Sequence, residues 1–183
     1  MTTVNVVIEG VAPLLMHAPT GLKRGSETKR GSCIPEPEEE AKKALYINPD
    51  GSYYVPAAAI LGCMREAGKS RLMPGRGKKS FKLAVMGGVL IQPDNVPLTT
   101  PGYEVDQRPV VIQRARIIRA RPRFEKWSAA FTIENLDPGN LKEDALKGIL
   151  EDGGKYNGLL DFRPQFGRFK VTKFEVQHDG KAK

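Results

Sequence analysis

Hydrophobic and polar residues largely alternate at the start of the chain, where Val4, Val6 and Ile8 share one parity and the polar Asn5 and Glu9 share the other. A period of two residues is typical of a β-strand with one buried face. We therefore predict that the chain begins with a half-buried strand.

The alternation disappears in the segment 17–44, which is rich in Gly, Ser, Pro and charged residues. Connections of this length are uncommon inside compact domains, and they are usually functional or disordered. We predict a flexible loop or insertion over 17–44. Within it, the glutamates at 38–40 are expected to be the solvated start of a helical turn.

Two helical patterns separate the remaining strand patterns. The first begins near Pro56 and ends near Gly68, and the second ends at Gly153 after a cap at Asp137 or Asn140. Strand patterns occupy 89–92, 110–124, 124–134 and 168–176, a small hairpin surrounds the turn at 48–51, and 94–109 is predicted to be an irregular crossing. We expect 110–124 to pair with the segment that follows it in a long hairpin.

The order of these elements predicts an α+β fold. With one small strand left out, the order is β-α-β-β-α-β, as in ferredoxin-like and RRM-like domains, whose antiparallel sheet carries both helices on one face. Residues 1–177 would form a single RRM-like domain, and 178–183 a polar tail. The other face of the sheet would be free for a ligand.

Composition narrows the class of protein. Of the 183 residues, 40% are hydrophobic and 27% charged, as in soluble globular proteins. No apolar run approaches the roughly 20 residues of a membrane span, and the start carries no secretory signal pattern. Cys33 and Cys63 lack the spacing of a disulfide framework or a zinc site. We expect a cytoplasmic protein with no membrane partner, no metal and no other cofactor.

Positive charge is in excess, and it is clustered. Lys and Arg number 29 against 21 Asp and Glu, which gives a net charge of +8 and a pI near 9.5. The excess lies in 65–82 and 108–126, whereas acidic residues collect at 36–40 and 137–152. Segregated charge is typical of a surface that binds a polyanion, although a merely solvated basic surface has the same composition.

The segment 110–124 is the most unusual part of the basic surface. It carries five arginines among β-branched residues, at positions 114, 116, 119, 121 and 123. In a strand, the first two share one face and the last three share the other. Because one buried face cannot persist across this change, we predict either a bulge near Ile117 and Ile118 or a projecting arginine-rich hairpin that leaves the sheet.

Two segments resemble a known family. The segment YVPAAAILGCMREAG enters the first helix and is similar to the proline, small-residue, glycine and arginine segment of the RAMP superfamily, the repeat-associated proteins of CRISPR systems. The segment GGKYNGLLDFRPQFGRFKV precedes the last strand and is similar to the glycine-rich loop of the same superfamily. The resemblance is closest to the backbone subunits of Cascade-type effector complexes, and it extends to phage and mobile-element proteins of this shape.

The resemblance implies a surface that holds a single-stranded nucleic acid, protomers that stack in a helical row, and other effector-complex subunits as partners. RNA-cleaving members of the superfamily tend to place a histidine at the end of the first strand, where this chain has His17. Some RNA-cutting backbone subunits instead use an aspartate in the loop that follows, and residues 17–45 contain none. His17 is therefore a weak catalytic candidate, and an ordinary loop histidine is the alternative.

We predict a non-enzymatic, sequence-independent binding protein for single-stranded RNA or DNA that forms a homo-oligomer along its ligand as a helical backbone. Cationic side chains would contact phosphates, and aromatic side chains of the glycine loop would stack on bases. The predicted contacts are Arg76, Lys78, Lys79, Arg114, Arg116, Arg119, Arg121, Arg123, Tyr156, Phe162, Arg163, Phe166 and Arg168. The alternatives are an endoribonuclease that uses His17 and a structural mimic that binds a CRISPR effector complex. Nucleotide hydrolysis is disfavoured because no P-loop motif is present.

Overall fold

The structure, a computed structural model, describes residues 1–19, 36–112 and 114–178. These residues form an α+β fold with antiparallel sheets. The elements are β1 Thr2–Gly10, β2 Leu14–Leu15, α1 Pro37–Lys43, β3 Tyr54–Pro56, α2 Ala57–Ser70, α3 Lys82–Gly88, β4 Val89–Gln92, β5 Asn95–Thr99, β6 Glu104–Ile112, β7 Ala115–Phe124, β8 Ser128–Asn135, α4 Glu143–Asp152 and β9 Phe169–His178. Most of the predicted loop, at 20–35, and nearly all of the predicted tail lie outside the described residues.

The main sheet has β1 at its centre, between β9 and β8. The far edge of β8 pairs with β4 and β5 in turn, and β3 pairs with β5. The predicted alternation of β1 is confirmed, since Val4, Val6 and Ile8 are buried. They share one core with the buried side chains of α2 and α4. This arrangement is consistent with a ferredoxin-like type of fold.

The opposite face of the main sheet carries charges that are largely paired with each other. Lys170 lies 2.9 Å from Glu9, and Lys173 lies 3.0 Å from Glu175, measured from Nζ to Oε2. The sequence predicts this face as a ligand surface, and in the described part of the chain Lys170 and Lys173 on it are paired with carboxylates.

A second antiparallel sheet has the order β2-β7-β6. The predicted pairing of 110–124 with 124–134 is wrong, because β7 pairs with β6, whereas β8 lies in the main sheet. The register of β6 and β7 is unbroken from Glu104 opposite Arg123 to Ile112 opposite Ala115, so the predicted bulge is absent. The predicted single strand over 110–124 is in fact two, since 110–112 end β6 and 115–124 form β7. The rest of β6 was predicted to be irregular because it contains Pro109, but proline is tolerated on an edge strand such as this one.

The helices differ from the predictions mainly at their ends. Helix α1 lies within the predicted loop, and α2 ends two residues beyond the predicted Gly68. Neither predicted cap begins α4, because the Asp137 carboxylate instead accepts the backbone N–H of Asn140, at 3.2 Å, in a separate turn. Within the described ranges, no helix has the length and apolar character needed to cross a membrane.

Candidate nucleic-acid interface

The two segments that resemble the RAMP superfamily lie on opposite sides of one groove. Residues 58–66 of α2 form one wall, residues 156–164 form the other, and the groove has a volume of about 820 Å³. The walls are joined directly, since Nδ2 of Asn157 donates a hydrogen bond of 3.1 Å to the carbonyl oxygen of Cys63. Burial raises the pKa of the Cys63 thiol to about 12, so it stays protonated beneath the groove.

Small side chains form the α2 wall of the groove. Ala58, Ala59 and Gly62 line it, and a Cβ added to Gly62 would meet no atom within 4 Å. Because these residues project little, a ligand can approach the helix backbone closely. The Ala-Ala-Ala and Gly of the sequence segment therefore shape the groove in addition to favouring a helix.

Glycine holds the opposite wall in a tight loop. Gly158 and Gly167 have φ angles of 73° and 71°, and the backbone N–H of Leu159 donates to the carbonyl oxygen of Gly167 at 2.9 Å. A Cβ on Gly167 would lie 2.7 Å from the amide nitrogen of Leu159. Both the left-handed φ and this close approach require glycine.

The groove contains an exposed aromatic ring and two arginines. Tyr156 is 59% exposed, and Nζ of Lys155 lies 5.0 Å from its ring centroid. Arg65 and Arg163 also line the groove. The hydrogen bond from Lys69, reinforced by Arg65, lowers the pKa of Glu66, so this carboxylate is ionised and paired. The groove thus combines a flat ring with cationic side chains.

Asp161 links the groove to the arginine strand. It lines the groove, and its Oδ2 atom lies 2.6 Å from Nε of Arg121 and 3.7 Å from Nδ1 of His17. The Arg121 contact is an ion pair without hydrogen-bond alignment, since neither atom has a hydrogen-bond partner among the described residues. Arg121, predicted as a phosphate contact, is only 9% exposed and lies against this carboxylate. It positions the glycine loop against β7.

Phe166, predicted to stack on a base, is a buried ring in contact with Arg108. Phe166 is 6% exposed, and the guanidinium carbon of Arg108 lies 4.5 Å from its ring centroid. Phe162 is partly exposed, and its ring centroid lies 6.4 Å from that of Phe166. The guanidinium carbon of Arg121 lies 5.0 Å from the ring centroid of Phe162. These rings hold the hairpin of β6 and β7 on the glycine loop, so the Phe166 ring has no face free for a base.

The five arginines of the strand fall into two groups. Arg119 contacts Glu40 at 2.8 Å, Arg121 contacts Asp161, and Arg123 contacts Glu125 at 2.5 Å and Asp106 at 4.0 Å. Arg114, in the turn with φ of 70°, and Arg116 are exposed, and neither forms an ion pair with any residue that the structure describes. Of the five, only these two lack a charge partner among the described residues.

The other predicted contacts lie on two surfaces. Arg163 and Arg168 are exposed on the glycine loop, and Nε of Arg168 donates to the carbonyl oxygen of Pro164 at 2.7 Å. Arg76, Lys78 and Lys79 are exposed on the loop between α2 and α3, which is anchored by the ion pair of Arg71 with Asp152. That loop does not line the groove, so the structure does not bring all predicted residues together.

Sequence reasoning missed several residues of the site. Arg65 and Asp161 lie inside the two quoted segments, so the resemblance itself marked them. Arg108 and Glu40 had no comparable signal, because their partners Phe166 and Arg119 are remote in sequence. Only the tertiary structure assigns those two residues to the interface.

No protein-family model matches the chain, and a comparison with curated proteins gives no match. The structure does resemble a chain of the cryo-EM structure of the Type III-B Cmr-beta bound to cognate target RNA, with a TM-score of 0.58 and 17% identity. The two chains share a fold. The match covers 96% of this chain and 60% of the other, so this chain spans about 60% of that neighbour's length.

Proposed function

We propose that this chain is a RAMP-like protein that binds single-stranded RNA without sequence preference, as a non-enzymatic subunit of a CRISPR effector assembly. The observation that carries the proposal is the groove, in which the two RAMP-like segments present Tyr156, Arg65 and Arg163 together. The likeness in fold to a chain from a structure that contains cognate target RNA supports RNA as the ligand.

Two parts of the surface would hold the strand. In the groove, Tyr156 would stack on a base while Arg163 contacts a phosphate, and stacking of this kind contributes about 1–3 kcal/mol per base. At the hairpin, Arg114 and Arg116 would contact phosphates. Phosphate contacts and stacking do not read base edges, so the binding would tolerate any sequence.

Binding of labelled single-stranded RNA and DNA, measured by fluorescence anisotropy over a series of salt concentrations, tests the proposal. We expect RNA to bind, with a log-log salt slope of about −0.7 for each phosphate contacted. Tyr156→Ala should weaken RNA binding about 5- to 150-fold, as expected for the loss of one stacked base.

Lys173→Ala is the matched control, because Lys173 is an exposed cation on the open face of the main sheet, paired with Glu175. It should leave RNA affinity unchanged. Absence of RNA binding at low salt, or equal effects of the Tyr156 and Lys173 variants, would contradict the proposal.

We also propose that copies of the chain align along the RNA. The hairpin exposes Val111 and Ile118, at 68% and 66%, next to its free arginines, and such a tip suits contact with a neighbouring copy as well as with the strand. Mass measurements on RNAs of increasing length should show complexes that grow by one protein copy at regular intervals. A single copy on every RNA would rule this out.

The contact between His17 and Asp161 supports a second candidate, RNA cleavage. His17 is 61% exposed, and Asp161 lines the groove. His17 would take the proton of a ribose 2′-hydroxyl, whose oxygen attacks the adjacent phosphorus and displaces the 5′-oxygen, which takes a proton from water. Incubation of labelled RNA with the wild type and with His17→Ala, each with chelator, decides between the two candidates. Only the cleavage candidate predicts a cyclic-phosphate product that the variant fails to form.

A further inference from the structure

We infer that Nη1 of Arg119 and the backbone N–H of Ala120 form a phosphate site on the edge of β7, and that Glu40 occupies this site when no nucleic acid is bound. The inference rests on the proposed RNA binding, and it adds that the Glu40 carboxylate competes with RNA phosphate for this site.

The site is defined by two donors that converge on one carboxylate. Nη1 of Arg119 donates to Oε1 of Glu40 at 2.8 Å, and the backbone N–H of Ala120 donates to Oε2 at 3.1 Å. A phosphodiester group presents the same feature, two oxygens sharing one negative charge. Arginine together with a backbone N–H is a common phosphate-binding combination.

The edge of β7 is available because β2 covers only part of it. β2 pairs with Arg123 and Phe124, and the carbonyl oxygen of Pro122 accepts the N–H of Met16. Beyond that point no described strand continues along this edge. Since backbone groups of alternate residues point to the same side of a strand, those of Ile118 and Arg116 face the same edge as Ala120. The site of Ala120 therefore continues toward the free arginines.

Helix α1 carries Glu40 to this edge as part of an acidic first turn. Glu38 and Glu39 are exposed beside it, whereas the side chain of Glu40 is 20% exposed. Ala41, fully buried, packs the helix in place. The helix thus puts negative charge where a nucleic-acid strand extending from Arg116 along β7 would lie, and that strand must displace Glu40 to contact Arg119.

The experiment compares RNA affinity of the full chain with that of Glu40→Gln, which keeps the side-chain size and removes the charge. We expect the variant to bind single-stranded RNA about 3- to 10-fold more tightly, because a charge-assisted hydrogen bond no longer competes with the phosphate. The double variant with Arg119→Ala should lose this gain.

Glu39→Gln is the matched control, because it removes one negative charge from the same turn and Glu39 is 68% exposed, with Lys43 as its partner. It should raise affinity clearly less. If Glu40→Gln binds RNA no better than Glu39→Gln while melting at the wild-type temperature, the inference is wrong. If the wild type itself binds no RNA, the proposed function has failed instead.

A second measurement uses the unaltered chain and does not depend on the stability of a variant. Hydrogen exchange followed by mass spectrometry should show that RNA lowers the protection of the peptide around Glu40, while the peptide that contains Ala120 stays protected. RNA that is bound without changing exchange around Glu40 would overturn the inference.

Discussion

The two halves of β7 place the same type of side chain in opposite environments. Near the hairpin turn, Arg114 and Arg116 are exposed and have no ion pair with a described residue. In the second half, Arg121 is 9% exposed, and Arg119 and Arg123 also contact carboxylates. The first half has charge free for a ligand, whereas each arginine of the second half is paired with a carboxylate of the chain.

The difference follows from what lies beside each half. The second half contacts α1 and the glycine loop, which supply Glu40 and Asp161, whereas no described carboxylate pairs with Arg114 or Arg116 near the turn. A guanidinium group taken from water needs a carboxylate partner, and an exposed one does not. An arginine-rich strand is therefore not one surface, and its members must be tested separately.

The largest effect on stability is expected at the buried pair of Arg121 with Asp161. Asp161→Ala leaves the Arg121 guanidinium buried without its partner, so the free energy of unfolding should fall by about 3 kcal/mol. Urea denaturation measures this directly. Glu125→Ala, which removes the exposed partner of Arg123, should cost less than about 1 kcal/mol. Equal losses of stability from the two variants would mean that burial does not make the Arg121 pair more important than the Arg123 pair.

A smaller effect on stability but a clear one on binding is expected at the tip. Replacing Arg114 and Arg116 together by Ala should weaken single-stranded RNA binding about tenfold and reduce the salt slope by about 1.4, for two phosphate contacts. The melting temperature should not change. If the variant melts at a lower temperature and its RNA affinity is unchanged, these two arginines stabilise the fold, as those of the second half do, and do not bind RNA.

The smallest effect is expected from an apolar side chain of the tip. Ile118 is 66% exposed, so Ile118→Ser should alter the free energy of unfolding by no more than about 0.5 kcal/mol. The same denaturation measurement checks it. A loss well above that value would show that the tip is packed against the protein, and the contrast between the two halves of β7 would then weaken.

Local sequence patterns were enough to predict the strands and helices whose hydrophobic residues repeat with one clear period. β1 alternates as its sequence predicts, and α2 and β9 lie within two residues of their predicted ends. β6 was predicted only in part, because 104–109 was taken as irregular around Pro109 and 110–112 was joined to β7 in one strand. The predicted partner of β7 was wrong because we chose the neighbouring segment with the cleaner alternation. That segment, β8, pairs with β1 and β4 instead.

The candidate site was predictable only in part, for a similar reason. The two segments quoted for the family resemblance contain Tyr156, Arg163 and Arg65, and the structure brings these three residues to one groove. The count of arginines overstated the free charge, since a sequence does not show that Glu40 lies next to Arg119 or Asp161 next to Arg121. Those contacts join residues about 40 or more positions apart.

The sequence by itself determined the alternation of the core strands, the helix of small residues, the glycine loop and the net charge of +8. These depend on side-chain size, backbone freedom and ionisation, which each residue carries with it. Only the tertiary structure decided which charges are free, because the energy of a charge depends on burial and on the distance to an opposite charge. Arg116 and Arg121 have the same side chain, and the fold gives them different roles.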